Sequence, residues 1–356
     1  MNQSGIGFIT RIKSFSRYEL IHFFNLVFFE KEELGLHIIK KIKSLAEEEQ
    51  TLLIKLFSTL TNMSWMTEEL DSISEPEIAE LEVTEKVIEE IFEVTLPKII
   101  EKVKIQTENM RAKIIEDRHW LKSEEVPFFI SDQMAGIDFP PVQKSLPENP
   151  VLIGLPEVSK HILKQNDLFE CIKNRVSHRN FLKTDLNLDE LSFLLWATQG
   201  VREVFNERKQ TRRMVPSGGS RHPFETYLAI QRVISLKPGI YRYLPLTHEL
   251  LFLYEVENLS AKLTQFAQNQ NFSGESAVSF IWSAIPYRTE WRYGLLSKKD
   301  ILLDCGHLCQ NLYLACEAIG CGTCAVCAYK QKEFDHLLGL DGIDEFTVYM
   351  SPVGKV

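Results

Sequence analysis

The residues best suited to chemistry lie in the C-terminal half of the chain, in short runs of small, basic and sulfur-bearing side chains. One run is Val215-Pro-Ser-Gly-Gly-Ser-Arg-His-Pro-Phe-Glu225. Gly218 and Gly219 lack a Cβ, so their backbone can lie flat against a planar ligand. Pro216 and Pro223 fix φ and keep the run out of a helix or central strand. Ser217, Ser220, Arg221 and His222 supply hydrogen-bonding groups. An ordinary surface turn carries the same punctuation, so the run alone does not separate the two. A second run is Arg175-Val-Ser-His-Arg179. In an extended chain Arg175, Ser177 and Arg179 share one face. Two guanidinium forks and a hydroxyl suit a phosphate, and a surface strand paired with acids would read alike. The third is Cys321-Gly-Thr-Cys-Ala-Val-Cys327, the spacing of iron–sulfur or zinc ligation, with Cys316 or His307 as candidates for a fourth ligand. Small buried thiols are the competing reading, and no metal is assigned.

Regular elements must hold these runs. Asn166 to Asn174 reads as a short helix leading into the arginines. Leu188 to Gly200 reads as a helix with Leu191, Leu194 and Leu195 as its buried stripe, followed by a basic loop from Arg202 to Arg213. Thr226 to Val233 reads as a strand leaving the diglycine run. Lys237 to Tyr243 is a turn into a strand that pairs with Glu249 to Val256 as a hairpin. Ala277 to Pro286 reads as another buried strand. Asp304 is placed as the cap of a helix running to Ile319, with Gly320 ending it. Phe346 to Val353 closes the chain as a strand.

The spacing predicts helices for residues 1–125, with apolar positions such as Leu34, Ile38, Ile42 and Leu45 in register. Residues 126–160 are rich in proline and read as an extended linker packed on a surface. Residues 161–356 form a mixed α+β region. The net charge is −9, which argues against a nucleic-acid partner. Between Thr67 and Val94 eleven acids face one lysine, a local net of −10. Such a run is a solvated face or a docking surface for a basic partner. No apolar run is long enough for a membrane span. An odd count of 7 cysteines without a secretory signal leads us to expect reduced thiols in the cytoplasm.

Several fragments also occur in one fixed order. They are Arg175-x-Ser-x-Arg179, Leu194-Leu-Trp-Ala-Thr-Gln-Gly200, Pro216-Ser-Gly-Gly219 with His222-Pro and Glu225, and Pro238-Gly-Ile-Tyr-Arg-Tyr243. After them come Arg292-Tyr-Gly294, Asp304-Cys-Gly-His-Leu-Cys-Gln-Asn-Leu312 and Pro352-Val-Gly354. This set resembles the FMN-dependent nitroreductase superfamily over roughly residues 150–356. More closely it is similar to the SagB-type branch, which contains azoline dehydrogenases of peptide-modifying pathways.

The resemblance implies a sheet flanked by helices, an intertwined homodimer and two FMN at its interface. On it, Arg175 and Ser177 hold the FMN phosphate. Arg179 lies on the flavin pyrimidine edge, where a fixed cation stabilises the charge of reduction. Ser217, Gly218, Gly219 and Ser220 contact the ring from the partner subunit. The backbone of Ala325, Val326 and Cys327 faces the reactive edge, and Lys355 is a further phosphate cation. Azoline dehydrogenases of this branch often carry Lys-Tyr where this chain has Arg292-Tyr293. Arginine stays protonated, so Arg292 cannot be a base, which leaves Tyr293 to move a proton, Arg292 to orient an anionic group, or both to be structural.

The implied activity is FMN-dependent oxidation of an azoline or similarly activated C–H bond in a peptide. The acidic helical region would recruit the peptide or a partner enzyme. Two rival expectations remain. One is NAD(P)H-dependent reduction of nitro compounds or quinones, and the other is a catalytically silent scaffold or metal-binding partner protein.

Overall fold

The computed structural model describes residues 108–122, 129–206 and 210–356. The chain divides into two compact units, one ending at His119 and the other spanning Trp120–Val356. In the first unit only residues 108–119 are described, and they are helical through residue 117. The expected helices of residues 1–107 and the acidic run therefore lie outside the described residues.

The second unit is built on a seven-stranded sheet in the order β1-β6-β5-β4-β7-β9-β8. The strands are β1 (Val151–Gly154), β4 (Phe224–Ile230), β5 (Gly239–Leu244), β6 (Glu249–Tyr254), β7 (Val278–Ala284), β8 (Cys321–Thr323) and β9 (Phe346–Lys355). Every neighbouring pair is antiparallel. Such sheets often bury one face only, but β4, β5 and β7 are buried at every position. Helices on both faces explain this, and the period-2 geometry divides the side chains between two cores. Leu228, Ile230, Phe280 and Trp282 belong to one core, with α2 (Leu188–Gln199) and α6 (Ser297–Ala318). Tyr227, Ala229, Ile281 and Met350 belong to the other, with α3 (Leu259–Phe266) and α7 (Gln331–Leu338). The remaining helices are α1 (Leu168–Asn174), α4 (Asn271–Glu275) and α5 (Tyr287–Tyr293). The expected sheet flanked by helices is therefore present.

Three elements differ from the sequence reading. Residues 151–154, inside the stretch read as linker, form edge strand β1 against β6. The basic stretch after α2 is a two-stranded hairpin, β2 (Val201–Phe205) and β3 (Gln210–Arg213), rather than a loop. Its charges mask an alternation in which Thr211 and Arg213 are buried and Arg212 is exposed. Finally, α6 begins at Ser297, so Asp304 sits in its second turn and does not cap it. Neither proline nor glycine interrupts residues 297–305, and nothing in that stretch stops the helix from starting early.

Two local devices fix the framework around the chemistry-bearing runs. Helix α2 starts with a capping box: Glu190 N donates to Asn187 Oδ1 at 2.8 Å, and Asn187 N donates to Glu190 Oε2 at 3.0 Å. This satisfies two amides that a helix start leaves bare. The former linker is tied down residue by residue. Gln133 N donates to Trp291 O, Trp291 Nε1 donates to Ile137 O, and Lys144 N donates to Glu225 Oε1. Arg213 donates to Val142 O, and Arg242 to Ser145 O. These bonds hold residues 133–145 against α5 and the ends of β3, β4 and β5.

Candidate functional site

The diglycine run leaves β3 and enters β4 as one tight turn. Ser220 N donates to Ser217 O, Arg221 N to Gly218 O, and His222 N to Ser217 Oγ. Gly219 has φ 56°, and the non-glycine residues Ser220 and His222 also have positive φ. That conformation disfavours a Cβ. Space adds a second constraint, since a Cβ on Gly219 would lie 2.6 Å from Tyr293 Oη and 3.0 Å from Arg292 Cδ. The turn therefore packs directly on the Arg292–Tyr293 pair at the end of α5.

Helix α6 holds the same turn from its other side. The buried Asp304 accepts from Ser217 Oγ at 2.5 Å through Oδ2 and from Gly218 N at 3.2 Å through Oδ1. Burial pushes the Asp304 carboxyl up, and the bonds from Ser217 and Gly218 work against that rise. Beside the turn, Arg221 lies over the rings of Trp291 and Phe139, with its guanidinium carbon 5.0 and 5.3 Å from their centroids. Burial and the charge of Arg292 bring Arg221 down to about 10, so it stays cationic at neutral pH. His222 is pulled down to about 2, first by burial and then by the Arg213 charge, which leaves it neutral. Behind the turn, Glu225 pairs with Arg288 at 2.5 Å, with both side chains buried.

The Arg-Ser-Arg run lies on a different part of the fold. Ser177 forms a parallel bridge with Thr323 of β8. The run approaches β8 and β9 closely because glycines face it: a Cβ on Gly322 would meet His178 at 2.6 Å, and one on Gly354 would meet Phe181 at 2.8 Å. Arg175 lies over the ring of Tyr313, 5.3 Å from its centroid, and Ser177 Oγ is 3.0 Å from Tyr313 Oη. Arg179 is exposed and has no ion-pair partner among the described residues.

Two expected contacts are otherwise engaged. Lys355 pairs with Glu190, the same residue that closes the α2 capping box. Its charge is thus paired within the protomer. Ala325 N donates to Tyr313 Oη at 2.8 Å, and Val326 N to Met350 O at 2.8 Å. Both amides are used inside the fold, and Cys327 is exposed.

The cysteine run does not gather into a ligand set. Among the described residues no group of three or more His, Cys, Asp or Glu side chains is placed to hold a metal. Burial pushes the Cys321 thiol up to about 11 and the Cys309 thiol to about 12, so both stay protonated at neutral pH. His307 lies beside Asp304, with Nδ1 3.9 Å from Oδ1.

The sequence reading missed Asp304 as a contact of the turn, Tyr313 as the hub of the arginine run, and Glu190 as the partner of Lys355. Each lies far in sequence from what it touches. The one available signal was that Asp304 is an acid flanked by the apolar residues Leu303 and Cys305, where a free carboxylate would be costly.

Polar groups gathered at loops and helix ends around an apolar sheet are the layout of an α+β enzyme. The chain belongs to the nitroreductase family of oxidoreductases, whose family model matches residues 172–355. The resemblance read from the ordered fragments is borne out by this match. A Methanocaldococcus jannaschii protein named as a nitroreductase is 30% identical over 203 residues, covering 57% of this chain and 96% of the relative. The trifolitoxin-processing protein TfxB of Rhizobium leguminosarum bv. trifolii is 27% identical over 168 residues, covering 45% of each chain. A Ralstonia eutropha crystal structure described as a nitroreductase has a TM-score of 0.49 and 24% identity, covering 62% of this chain and 98% of that one. Among the described residues no helix is long and apolar enough to cross a membrane.

Proposed function

We propose that the protein is an FMN-dependent oxidoreductase that removes hydrogen from an azoline or similarly activated C–H bond of a peptide. The observation that carries this reading is the turn at Gly219. The Cβ-free backbone of Gly218 and Gly219 stands beside Tyr293, Arg292 and Arg221, donors and cations that suit a flat, electron-accepting ligand. The residues fit FMN in three respects. The amide of Gly219 has no hydrogen-bond partner among the described residues, whereas those of Gly218, Ser220, Arg221 and His222 are used within the fold. Arg179 is an exposed cation without an ion-pair partner among the described residues. Arg175 and Ser177 stand together on Tyr313.

When bound, FMN would supply two-electron chemistry that amino-acid side chains lack. Arg175 and Ser177 would bind its phosphate, and Arg179 would neutralise charge at the pyrimidine edge. Ser217, Gly218, Gly219 and Ser220 would form the surface against the ring. Tyr293 would move a proton at its phenolic oxygen, next to Gly219. Arg292 would stay charged and orient an anionic group of the substrate.

The geometry also favours a ligand shared between two copies. Asp304, at the diglycine turn, and Tyr313, at the arginine run, are nine residues apart on α6. That is about two and a half helical turns, so the two sets leave α6 on opposite sides. A ligand gripped by both sets would take one from each protomer of a homodimer. Leu302 and Leu303 of α6 and Leu168 and Phe169 of α1 are exposed and offer apolar surface for such pairing.

The peptide substrate draws on the similarity to TfxB, a protein named for processing trifolitoxin. A role for residues 1–125 in recruiting peptide or a partner enzyme belongs to the same reading. Deleting residues 1–120 should then weaken peptide binding, and unchanged binding would remove that role. A second reading, NAD(P)H-dependent reduction of nitro compounds or quinones, draws on the M. jannaschii relative, which is covered almost end to end.

The decisive experiment is the visible spectrum of the purified protein, with identification of any pigment released on denaturation. FMN supports the proposal, and protein that stays colourless after incubation with FMN sinks it. Rapid bleaching by NADPH, without oxidation of azoline peptides, would favour the second reading.

A further inference from the structure

We infer that Asp304 is a positioning residue for the proposed flavin site, holding the diglycine turn so that Gly219 is left to meet the ring. This rests on the FMN reading of the turn. Asp304 lies in the body of α6, is buried, and makes no contribution to that helix's start. A buried carboxylate needs strong partners. Asp304 finds them in the turn, in the hydroxyl of Ser217 and the amide of Gly218. Ser217 Oγ in turn accepts from His222 N at 2.8 Å, so one carboxylate organises both ends of the run.

The consequence appears in how the turn's amides are used. Gly218 donates to Asp304, Ser220 to Ser217 O, Arg221 to Gly218 O and His222 to Ser217 Oγ. Between the first two, Gly219 is left without a partner among the described residues. Its carbonyl is occupied by Arg221 Nε at 3.3 Å. Asp304 therefore selects the free donor by tying down the residue before it, while Tyr293 and Arg292 pack against the Cα of Gly219. Without the carboxylate, Ser217 and Gly218 lose their common acceptor and the positive-φ turn loses its outer anchor.

The test uses the full-length protein stripped of flavin and titrated with FMN, reading quenching of flavin fluorescence and the shift of the bound visible spectrum. Melting temperatures of the apo forms serve as the fold control. Asp304→Ala should weaken FMN binding about ten- to hundred-fold, the range for lost hydrogen bonds to a charged group. Asp304→Asn keeps one acceptor oxygen and should fall between Ala and wild type. Ser217→Ala should weaken binding, and the Asp304→Ala/Ser217→Ala double variant should be little worse than Asp304→Ala, because both act through one contact. Hydrogen exchange at the Gly218 amide should quicken in Asp304→Ala, a readout that needs no flavin.

Full FMN affinity in Asp304→Ala, or independent addition of the two single effects, overturns the inference while leaving the flavin reading intact. If Asp304→Ala does not fold, Ser217→Ala and Asp304→Asn decide, and wild-type affinity in both overturns it. Wild-type protein that takes up no FMN overturns the flavin reading and this inference with it.

Discussion

Gly219 and Arg179 show how differently single residues can matter at the proposed site. Gly219 is constrained twice, by φ 56° and by Tyr293 Oη 2.6 Å from where a Cβ would stand. Gly219→Ala should cost about 1–2 kcal/mol of stability from the backbone alone. The methyl group also has to displace Tyr293, so FMN uptake should fall more than stability does. Thermal melting and FMN titration of the same preparation check both effects. Arg179 is exposed and makes no ion pair among the described residues, so its loss should leave the fold untouched. Arg179→Ala should reduce FMN affinity about ten- to hundred-fold, corresponding to about 1.5–3 kcal/mol. Unchanged FMN retention would remove Arg179 from the site.

At the level of elements, buried ion pairs join segments that are remote in sequence. Lys355 at the end of β9 holds Glu190 in the first turn of α2, and both side chains are largely buried. Lys355→Ala strands that carboxylate and should cost about 3 kcal/mol or more in denaturant unfolding. FMN affinity should follow only as far as stability does, whereas a direct phosphate ligand would lower affinity in an otherwise stable protein.

Glu225 and Arg288 link β4 to α5 in the same way. Burial by itself would raise the Glu225 carboxyl, but the Arg288 charge and hydrogen bond hold it below its ordinary value of 4.5. A depressed carboxylate stabilises the fold above its unfolded value and loses that contribution as pH falls through the folded one. Stability from this pair should therefore be complete near neutrality and disappear in acid. Arg288→Ala should lower stability at pH 7 by about 3–5 kcal/mol and flatten the acid limb of the profile. Urea unfolding between neutral and acid pH measures both.

For the whole molecule, the opposed placement of the two residue sets on α6 would make the proposed site depend on assembly. The proposed homodimer should sediment as two copies carrying FMN. Charges in the exposed apolar patch, as in Leu302→Glu combined with Leu303→Glu, should yield a monomer that has lost FMN. A monomer that keeps its flavin would show that one protomer completes the site. The ordered residues 133–145 matter at this scale too. They fasten the approach to β1 onto Trp291, next to Arg292 and Tyr293, so a stretch that looks like a spacer is packed beside the proposed site.

What the sequence determined by itself was local. Period-2 and helical spacing revealed most strands and helices of the second unit, because side-chain burial follows those periods directly. The ordered fragments were enough to reveal the family, since glycines, prolines and arginines at set positions answer to backbone and charge demands that composition cannot hide. Tertiary structure alone decided the partners. Asp304 became an anchor for the diglycine turn, Lys355 turned toward Glu190, and the amides of Ala325 and Val326 closed on the fold. Each of those outcomes depends on which buried charge or donor lies within about 3 Å after packing, a distance that sequence spacing does not encode.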